Sequence, residues 1–129
     1  MIIADTDVMI DHFAGRQPSR ARIVEYIQTQ QLQTTAINYF ELLSGAEGKR
    51  ANDARQFLAS IPVLPLDREA ADRAADVRRD LESRGEYIGM GDSLIAGIAL
   101  TRALPILTRN RKHFKRVPNL KLIELEYNQ

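Results

Sequence analysis

The sequence predicts an α/β fold in which a central parallel sheet of about five strands lies between two layers of helices. Short apolar runs of four to six residues alternate with longer segments whose apolar residues recur at helical spacing. Strands that are separated by helices favour a parallel sheet with both faces covered. The chain has 129 residues, of which 44% are hydrophobic and 27% charged, a composition typical of one globular domain. We therefore expect a single three-layer domain over residues 1–129.

The first half of the chain predicts three strands and four helices. Gly15 ends the first helix, Asn38 begins the third as an N-cap, and prolines limit the third strand to a sheet edge or a short pairing. The predicted strands are 1–4, 32–36 and 61–66, and the predicted helices are 7–13, 18–30, 38–45 or 38–48, and 53–59.

The second half predicts two long helices and two more strands. Asp67 caps a helix with alanines at helical spacing that ends at Gly85. Asp92 then opens "SLIAGIAL", which is apolar on every face and should be buried. "LPILT" (104–108) is the fourth strand, "RNRKHF" a short helical turn, and "LKLIEL" (120–125) the fifth strand.

Several protein classes are disfavoured by composition. The chain has no cysteine, so it forms no disulfide and holds no thiolate metal site. No apolar run reaches membrane-spanning length, and the N-terminus lacks the pattern of a signal peptide. We expect a cytoplasmic protein without a membrane association.

Positive charge is concentrated near the C-terminus. The net charge is +1, yet "RNRKHFKR" (109–116) holds five of the 18 basic residues and none of the 17 acidic ones. Such a cluster is typical either of a phosphate-binding surface or of a solvated loop, and charge alone leaves both open.

Polar residues from four segments are predicted to meet at one edge of the sheet. Asp5 follows the first strand, Glu41 comes shortly after the second, and Asn110 follows the fourth. Asp92 begins a buried helix that is entered from the same edge. In open parallel sheets, ligands bind at the carboxyl ends of the strands, so this edge is the candidate site.

Helix capping and metal binding both account for these residues. Asp5 or Asp7 could cap the first helix, "NYFE" (38–41) fits a capping box, and Asp92 suits a helix N-terminus. Capping does not require an acid on every element, however, and neighbouring carboxylates repel one another unless a cation neutralises them. Oxygen ligands alone favour Mg²⁺ or Mn²⁺, which can activate water beside a phosphodiester.

Four motifs in a fixed order resemble one family. "ADTDVMID", "NYFELLSGA", "GDSLIAGIAL" and "LPILTRNRKHFKRVPNLKL" span almost the whole chain and resemble the PIN-domain ribonucleases, specifically the VapC-type toxins of type II toxin–antitoxin systems. The resemblance implies a PIN-like fold. It also implies a Mg²⁺- or Mn²⁺-dependent endoribonuclease that cuts structured RNA such as tRNA and thereby blocks translation.

The resemblance also assigns the catalytic residues. Asp5, Glu41 and Asp92 correspond to the first three acids of the family, with Asp5 and Asp92 as metal ligands and Glu41 orienting water or a second metal. Asn110 stands where a fourth acid often follows the fourth strand. Asp7 stands where many relatives have asparagine, and we interpret it as a helix cap.

The same resemblance predicts several partners: a homodimer, a cognate VapB-type antitoxin that obstructs the active site, and contact with DNA only through that antitoxin. RNA would be held by the basic stretch and its histidine. The predicted RNA-binding residues are Arg109, Arg111, Lys112, His113, Lys115 and Arg116.

Three alternatives stay open from the sequence. The first is a PIN nuclease in RNA processing, outside toxin–antitoxin systems. The second is a receiver-like domain with Asp67 as phosphoacceptor, the acidic pair Asp5 and Asp7, and Lys112 near the phosphate. The third is a catalytically inactive PIN interaction module, which Asn110 in place of an acid would permit.

Overall fold

The computed structural model describes residues 1–126, so the last three residues of the predicted domain lie outside it. The described part contains four strands and seven helices. The strands are β1 (Ile2–Ala4), β2 (Leu32–Thr35), β3 (Val63–Leu64) and β4 (Ile106–Leu107). The helices are α1 (Thr6–Ala14), α2 (Ser19–Gln28), α3 (Ala36–Ser44), α4 (Lys49–Ala59), α5 (Arg68–Ser83), α6 (Met90–Arg102) and α7 (Arg111–Phe114).

The sheet is parallel and has the strand order β3-β2-β1-β4. The chain moves outward from β1 through β2 to β3, and then crosses back to place β4 on the other side of β1. The strand order therefore reverses between β1 and β4, which is the position where open α/β sheets bind their ligands. The predicted edge position of the third strand is confirmed.

Hydrophobic cores cover both faces of the sheet, as the three-layer prediction requires. Ile2 and Ala4 of β1 belong to one buried cluster, together with α1 residues such as Val8. Ile3, whose side chain points to the opposite face, belongs to a second cluster with α6 residues such as Ile95. In residues 1–126, no helix combines the length and the apolar character needed to cross a bilayer.

Helices α5 and α6 approach each other closely at Gly97. A Cβ at this position would lie 2.5 Å from the Ala70 carbonyl oxygen and 2.7 Å from the Ala74 Cβ. Glycine and alanine at this crossing let the two backbones meet, and the short contact fixes α6 against α5. Because Asp92 lies in the first turn of α6, the crossing also fixes the position of this acid.

Several predicted element boundaries differ from the structure, among them the start of α4 at Lys49 rather than 53, and two of the differences have a local reason. The fifth strand is reduced to one parallel bridge between Ile106 and Leu122, since β4 offers only two residues for pairing. Helix α3 begins at Ala36 rather than at Asn38, because Thr35 is the N-cap and its hydroxyl accepts the Asn38 amide hydrogen. The capping box predicted for "NYFE" therefore does not form.

Candidate active site

Asp5 lies at the centre of the site, directly after β1. It is the N-cap of α1, and its side chain is buried with 6% exposure. Oδ1 accepts hydrogen bonds from the Thr6 amide at 2.8 Å and from Asn38 Nδ2 at 2.9 Å. Oδ2 accepts from the Thr108 hydroxyl at 2.6 Å. Residues after three different strands thus hold one carboxylate.

This carboxylate is costly to ionise. Burial is the largest cause and, together with the nearby charge of Asp7 and the weaker effect of Asp92, raises the pKa of Asp5 from 3.8 to about 7. Hydrogen bonds from Thr108 and Thr6 act in the opposite direction. Desolvation and like charge outweigh these donors because both disfavour the ionised form. A cation at this place would relieve the repulsion.

Asp7 also belongs to the site, so its interpretation as a helix cap is wrong. Its Oδ2 accepts the Arg109 amide hydrogen at 3.1 Å and lies 3.4 Å from the Thr108 hydroxyl. Its Oδ1 is buried and has no hydrogen-bond partner within residues 1–126. Burial raises the pKa of Asp7, although the Arg109 charge opposes this. The cap position that sequence reasoning gave to Asp7 is taken by Asp5.

Asn38 connects the first two predicted acids. It is fully buried, and its Nδ2 donates to Asp5 Oδ1 and to the Thr6 hydroxyl oxygen at 3.0 Å. The Thr6 hydroxyl in turn donates to Glu41 Oε1 at 2.7 Å. Glu41 Oε2 would lie 3.1 Å from a Cβ at Gly91. Glu41 therefore reaches from α3 to the first turn of α6, beside the predicted third acid.

Asp92, Asn110 and His113 form a compact triangle. Asn110 Nδ2 donates to Asp92 Oδ2 at 2.9 Å, and His113 Nδ1 lies 2.9 Å from the same oxygen. The two nitrogens are 3.0 Å apart. All four residues predicted as catalytic thus lie at the carboxyl edge of the sheet, and Asn110 contacts the third acid directly.

The side chains at this edge suit a hard cation. The ligands available there are carboxylate oxygens, the unpartnered Asp7 Oδ1 is buried among them, and the ionised form of Asp5 is destabilised by burial and by its neighbours. Residues 1–126 present no ready cluster of three histidine, cysteine, aspartate or glutamate side chains that could hold a metal ion. An ion held by few protein oxygens and several waters is the pattern that Mg²⁺ prefers.

The basic stretch is divided between internal contacts and solvent. Arg111 NH1 donates to the Ile123 carbonyl oxygen, and Arg116 NH1 donates to the Glu86 carbonyl oxygen. Arg109 is bound to a buried acid of α1, and His113 contacts the third site acid. Lys112 and Lys115 are exposed and have no ion-pair partner within residues 1–126. Lys112 and Lys115 are therefore the positions most available to a phosphate.

Sequence reasoning missed several side chains that organise the site. The sequence predicts Asn38 as a helix cap that follows the second strand and Thr108 as the end of an apolar strand, but it shows no contact of either residue with Asp5. The partners of Asp5 lie 33 and 103 residues along the chain, a distance that local patterns do not report. Asp67, the phosphoacceptor of the receiver alternative, is the N-cap of α5 and accepts the Ala70 amide hydrogen.

The fold and the site place this chain among the α/β domains that carry an acidic cluster at the carboxyl edge of a parallel sheet. The family model of the PIN domain matches residues 2–120, so the chain belongs to the PIN-domain family, as its motifs predict. Within this family the chain is similar to curated VapC ribonucleases. One is ribonuclease VapC10 of Mycobacterium tuberculosis strain H37Rv, at 32% identity over 94% of this chain and 91% of the relative.

A further VapC relative and two solved VapBC structures are also similar to this chain. The tRNA(fMet)-specific endonuclease VapC of Salmonella typhimurium is 29% identical over 82% of this chain and 84% of the relative. The DNA-bound VapBC structure from Salmonella typhimurium matches with a TM-score of 0.81 and 25% identity, over 97% of this chain and 99% of that one. VapBC2 of Rickettsia felis, bound to a promoter DNA fragment, shares the fold with a TM-score of 0.80 and 24% identity, over 95% of this chain and 98% of that one.

Proposed function

We propose that this protein is a VapC-type endoribonuclease toxin that depends on Mg²⁺ or Mn²⁺ and cuts structured RNA such as tRNA. One observation carries the proposal: Asp5, Asp7, Glu41 and Asp92, from three separate segments, are linked by hydrogen bonds or by mutual charge at the switch point of the sheet. The VapC relatives support the reaction class, and the tRNA-specific relative supports the kind of substrate.

Each site residue has a distinct part in the proposed reaction. Asp5 and Asp92 would hold the ion, with Asp7 and Asn110 beside them. The bound ion would supply an activated water and stabilise negative charge on the phosphoryl group. Glu41, held by the Thr6 hydroxyl, would orient that water and accept its proton. Exposed Lys112 and Lys115 would bind the RNA backbone.

Cleavage of purified tRNA tests this function. The protein is first freed of any co-purifying partner and is then assayed with Mg²⁺, with Mn²⁺ and with EDTA, beside Asp5→Asn. We expect discrete fragments that require both the metal and Asp5, because asparagine keeps the cap but removes the charge. The same fragments from both proteins, or in EDTA, would contradict the proposal. Cleavage that is lost on chelation identifies an active enzyme, because an inactive PIN module would cut no tRNA with or without the metal.

A groove beside the acids supports the proposed antitoxin site. It lies between α1, α3 and α4, has a volume of about 360 Å³, and reaches Glu41 at one end. Ile10 and Phe13 line it while remaining 46% and 42% exposed. The solved VapBC complexes favour a VapB-type partner. We propose that the antitoxin covers this groove, that contact with DNA is made only through it, and that the toxin is a cytoplasmic homodimer.

Coexpression with any short protein that is encoded directly upstream tests the partner. Ile10→Glu places a charge in the groove and should abolish co-purification of the antitoxin, while RNA cleavage by the isolated toxin remains. Lys49→Gln, an exposed change on α4 outside the groove lining, serves as the control. Unchanged co-purification of Ile10→Glu would place the antitoxin elsewhere. Light scattering of the purified toxin tests the homodimer, and a mass of 14.6 kDa would contradict it.

A further inference from the structure

Three consecutive residues after β4 each contact a different acid of the site. The distances are 2.6 Å from the Thr108 hydroxyl, 3.1 Å from the Arg109 amide and 2.9 Å from the Asn110 side chain. The acids contacted, in the same order, are Asp5, Asp7 and Asp92. The position of residues 108–110 therefore determines how the acids are placed relative to one another.

The side chain of Arg109 turns away from these acids toward α1. Its Nε lies 2.7 Å from Asp11 Oδ2, and the Ser19 hydroxyl donates to the same oxygen at 2.8 Å. Arg16 NH1 lies 3.7 Å from Asp11 Oδ1. Asp11 is only 4% exposed. A carboxylate at this depth needs a cation close by, since an unpaired buried charge is strongly unfavourable.

Asp11 is one helical turn beyond Asp7 on α1. Arg109 thus contacts the helix at two points, with its amide on Asp7 and its guanidinium on Asp11. Residues four apart on a helix lie on the same face, so the two contacts together prevent the turn from sliding along α1. A single contact would leave the turn free to pivot.

We propose that Asp11 and Arg109 form a clasp that holds residues 108–110 over the acids, so that both are positioning residues for the cleavage reaction. This inference rests on the proposed function for its reaction. It reassigns Arg109, which the sequence predicted as an RNA ligand, to an internal role. Half of the Arg109 side chain is exposed, so direct phosphate contact is the competing role that an experiment must separate.

The test compares Asp11→Asn, Arg109→Gln and the double variant. The kcat and KM for a tRNA substrate are measured with Mg²⁺, and RNA affinity is measured in EDTA at several salt concentrations. The clasp predicts that each single variant loses kcat about 10- to 100-fold, because small misplacement of reacting groups has effects of this size. KM and RNA affinity should stay within about twofold, and the double variant should be no worse than the poorer single variant.

Asp76→Asn and Arg79→Gln are the matched controls. These two residues form an exposed ion pair at 2.8 Å on α5, so the substitutions reproduce the charge changes away from the site and should leave every parameter unchanged. The clasp would be overturned if Arg109→Gln bound RNA more weakly, with a salt slope shallower by about 0.7–0.9, while Asp11→Asn kept the wild-type kcat. Fully additive losses of kcat in the double variant would also overturn it.

A further measurement separates failure of the clasp from failure of the proposed function. If the wild-type protein cuts no RNA, the function fails, and Mn²⁺ binding by calorimetry decides the clasp. Both single variants should then bind Mn²⁺ about 10-fold more weakly, as is common when groups that orient metal ligands are lost. Unchanged Mn²⁺ affinity would overturn it. Should Asp11→Asn not fold, the kcat and RNA affinity of Arg109→Gln decide the question alone.

Discussion

Removing the charge of Asp5 should stabilise the metal-free protein. A pKa of about 7 in the folded state, against an ordinary value of 3.8, means that the folded protein binds this proton more tightly than the unfolded chain does. The stability that this tighter proton binding adds to the folded state is fully present below pH 4 and is lost as the pH rises through 7. It amounts to roughly 4 kcal/mol at most.

We therefore expect Asp5→Asn to raise the free energy of unfolding at pH 8 in EDTA by about 2–3 kcal/mol, or roughly 6–12 °C in Tm. Asparagine keeps an oxygen for the Thr6 and Asn38 donors. Its amide can donate to the Thr108 hydroxyl oxygen, so the hydrogen bonds survive while the repulsion does not. The expected gain in stability is smaller than the upper bound of roughly 4 kcal/mol, because an amide at this place replaces the carboxylate oxygen at Thr108 only imperfectly.

Thermal melts from pH 4.5 to pH 8.5 in EDTA measure the effect, with the exposed change Asp76→Asn as control. The difference between the variant and the wild-type protein should grow with pH and level off above about pH 8. Excess Mg²⁺ should stabilise the wild-type protein and not the variant, because ligand binding to the folded state raises its stability. A variant that is no more stable than the wild type at pH 8 would refute the electrostatic account of Asp5.

Three further outcomes follow from the described contacts. Gly97→Ala should lower the free energy of unfolding, measured by chemical denaturation, by about 3 kcal/mol, because its Cβ would collide with α5. Gly45→Ala is the control and should change this free energy little, since its Cβ would make an ordinary contact at 3.6 Å. Replacing Lys112 and Lys115 by glutamine should weaken RNA binding and make its salt slope shallower by about 1.5, as titrations at several salt concentrations would show; an unchanged slope would leave these lysines as plain surface. Asn110→Asp should tighten Mn²⁺ binding in calorimetry and lower Tm in EDTA, because it adds a carboxylate beside the acid of α6; opposite signs would contradict this.

The architecture and the principal acids were predictable from the sequence because both depend on local patterns. Apolar runs separated by helical segments determine a parallel sheet, and the residue after each strand then lies at its carboxyl edge. Asp5 is placed in this way, whereas Glu41 and Asp92 are predicted there because they lie on helices that begin at the same edge. The fifth strand was overpredicted because the pattern of "LKLIEL" does not reveal how few residues β4 offers for pairing.

The supporting residues were not predictable because their roles depend on contacts between distant parts of the chain. Asn38 looks like a helix cap until Thr35 is seen to take that place. Asp7 looks like a helix cap until the turn after β4 is placed beside it. The side chain of Arg109 gives no local sign that it pairs with Asp11 rather than with a phosphate. The assignments of Asp7 and Arg109 need the register of β4 beside β1, and that of Asn38 needs the register of β2 beside β1.

The pairing of the first strand with the last has a consequence for synthesis of the protein on the ribosome. Asp5 is translated 103 residues before Thr108, whose hydroxyl donates a hydrogen bond to it. Until β4 has emerged and paired with β1, one side of β1 is open, and the acids lack the hydrogen bonds that residues 108–110 donate. A nascent chain therefore carries an incomplete cluster of acids until β4 has been made, which delays any attack on RNA until that point.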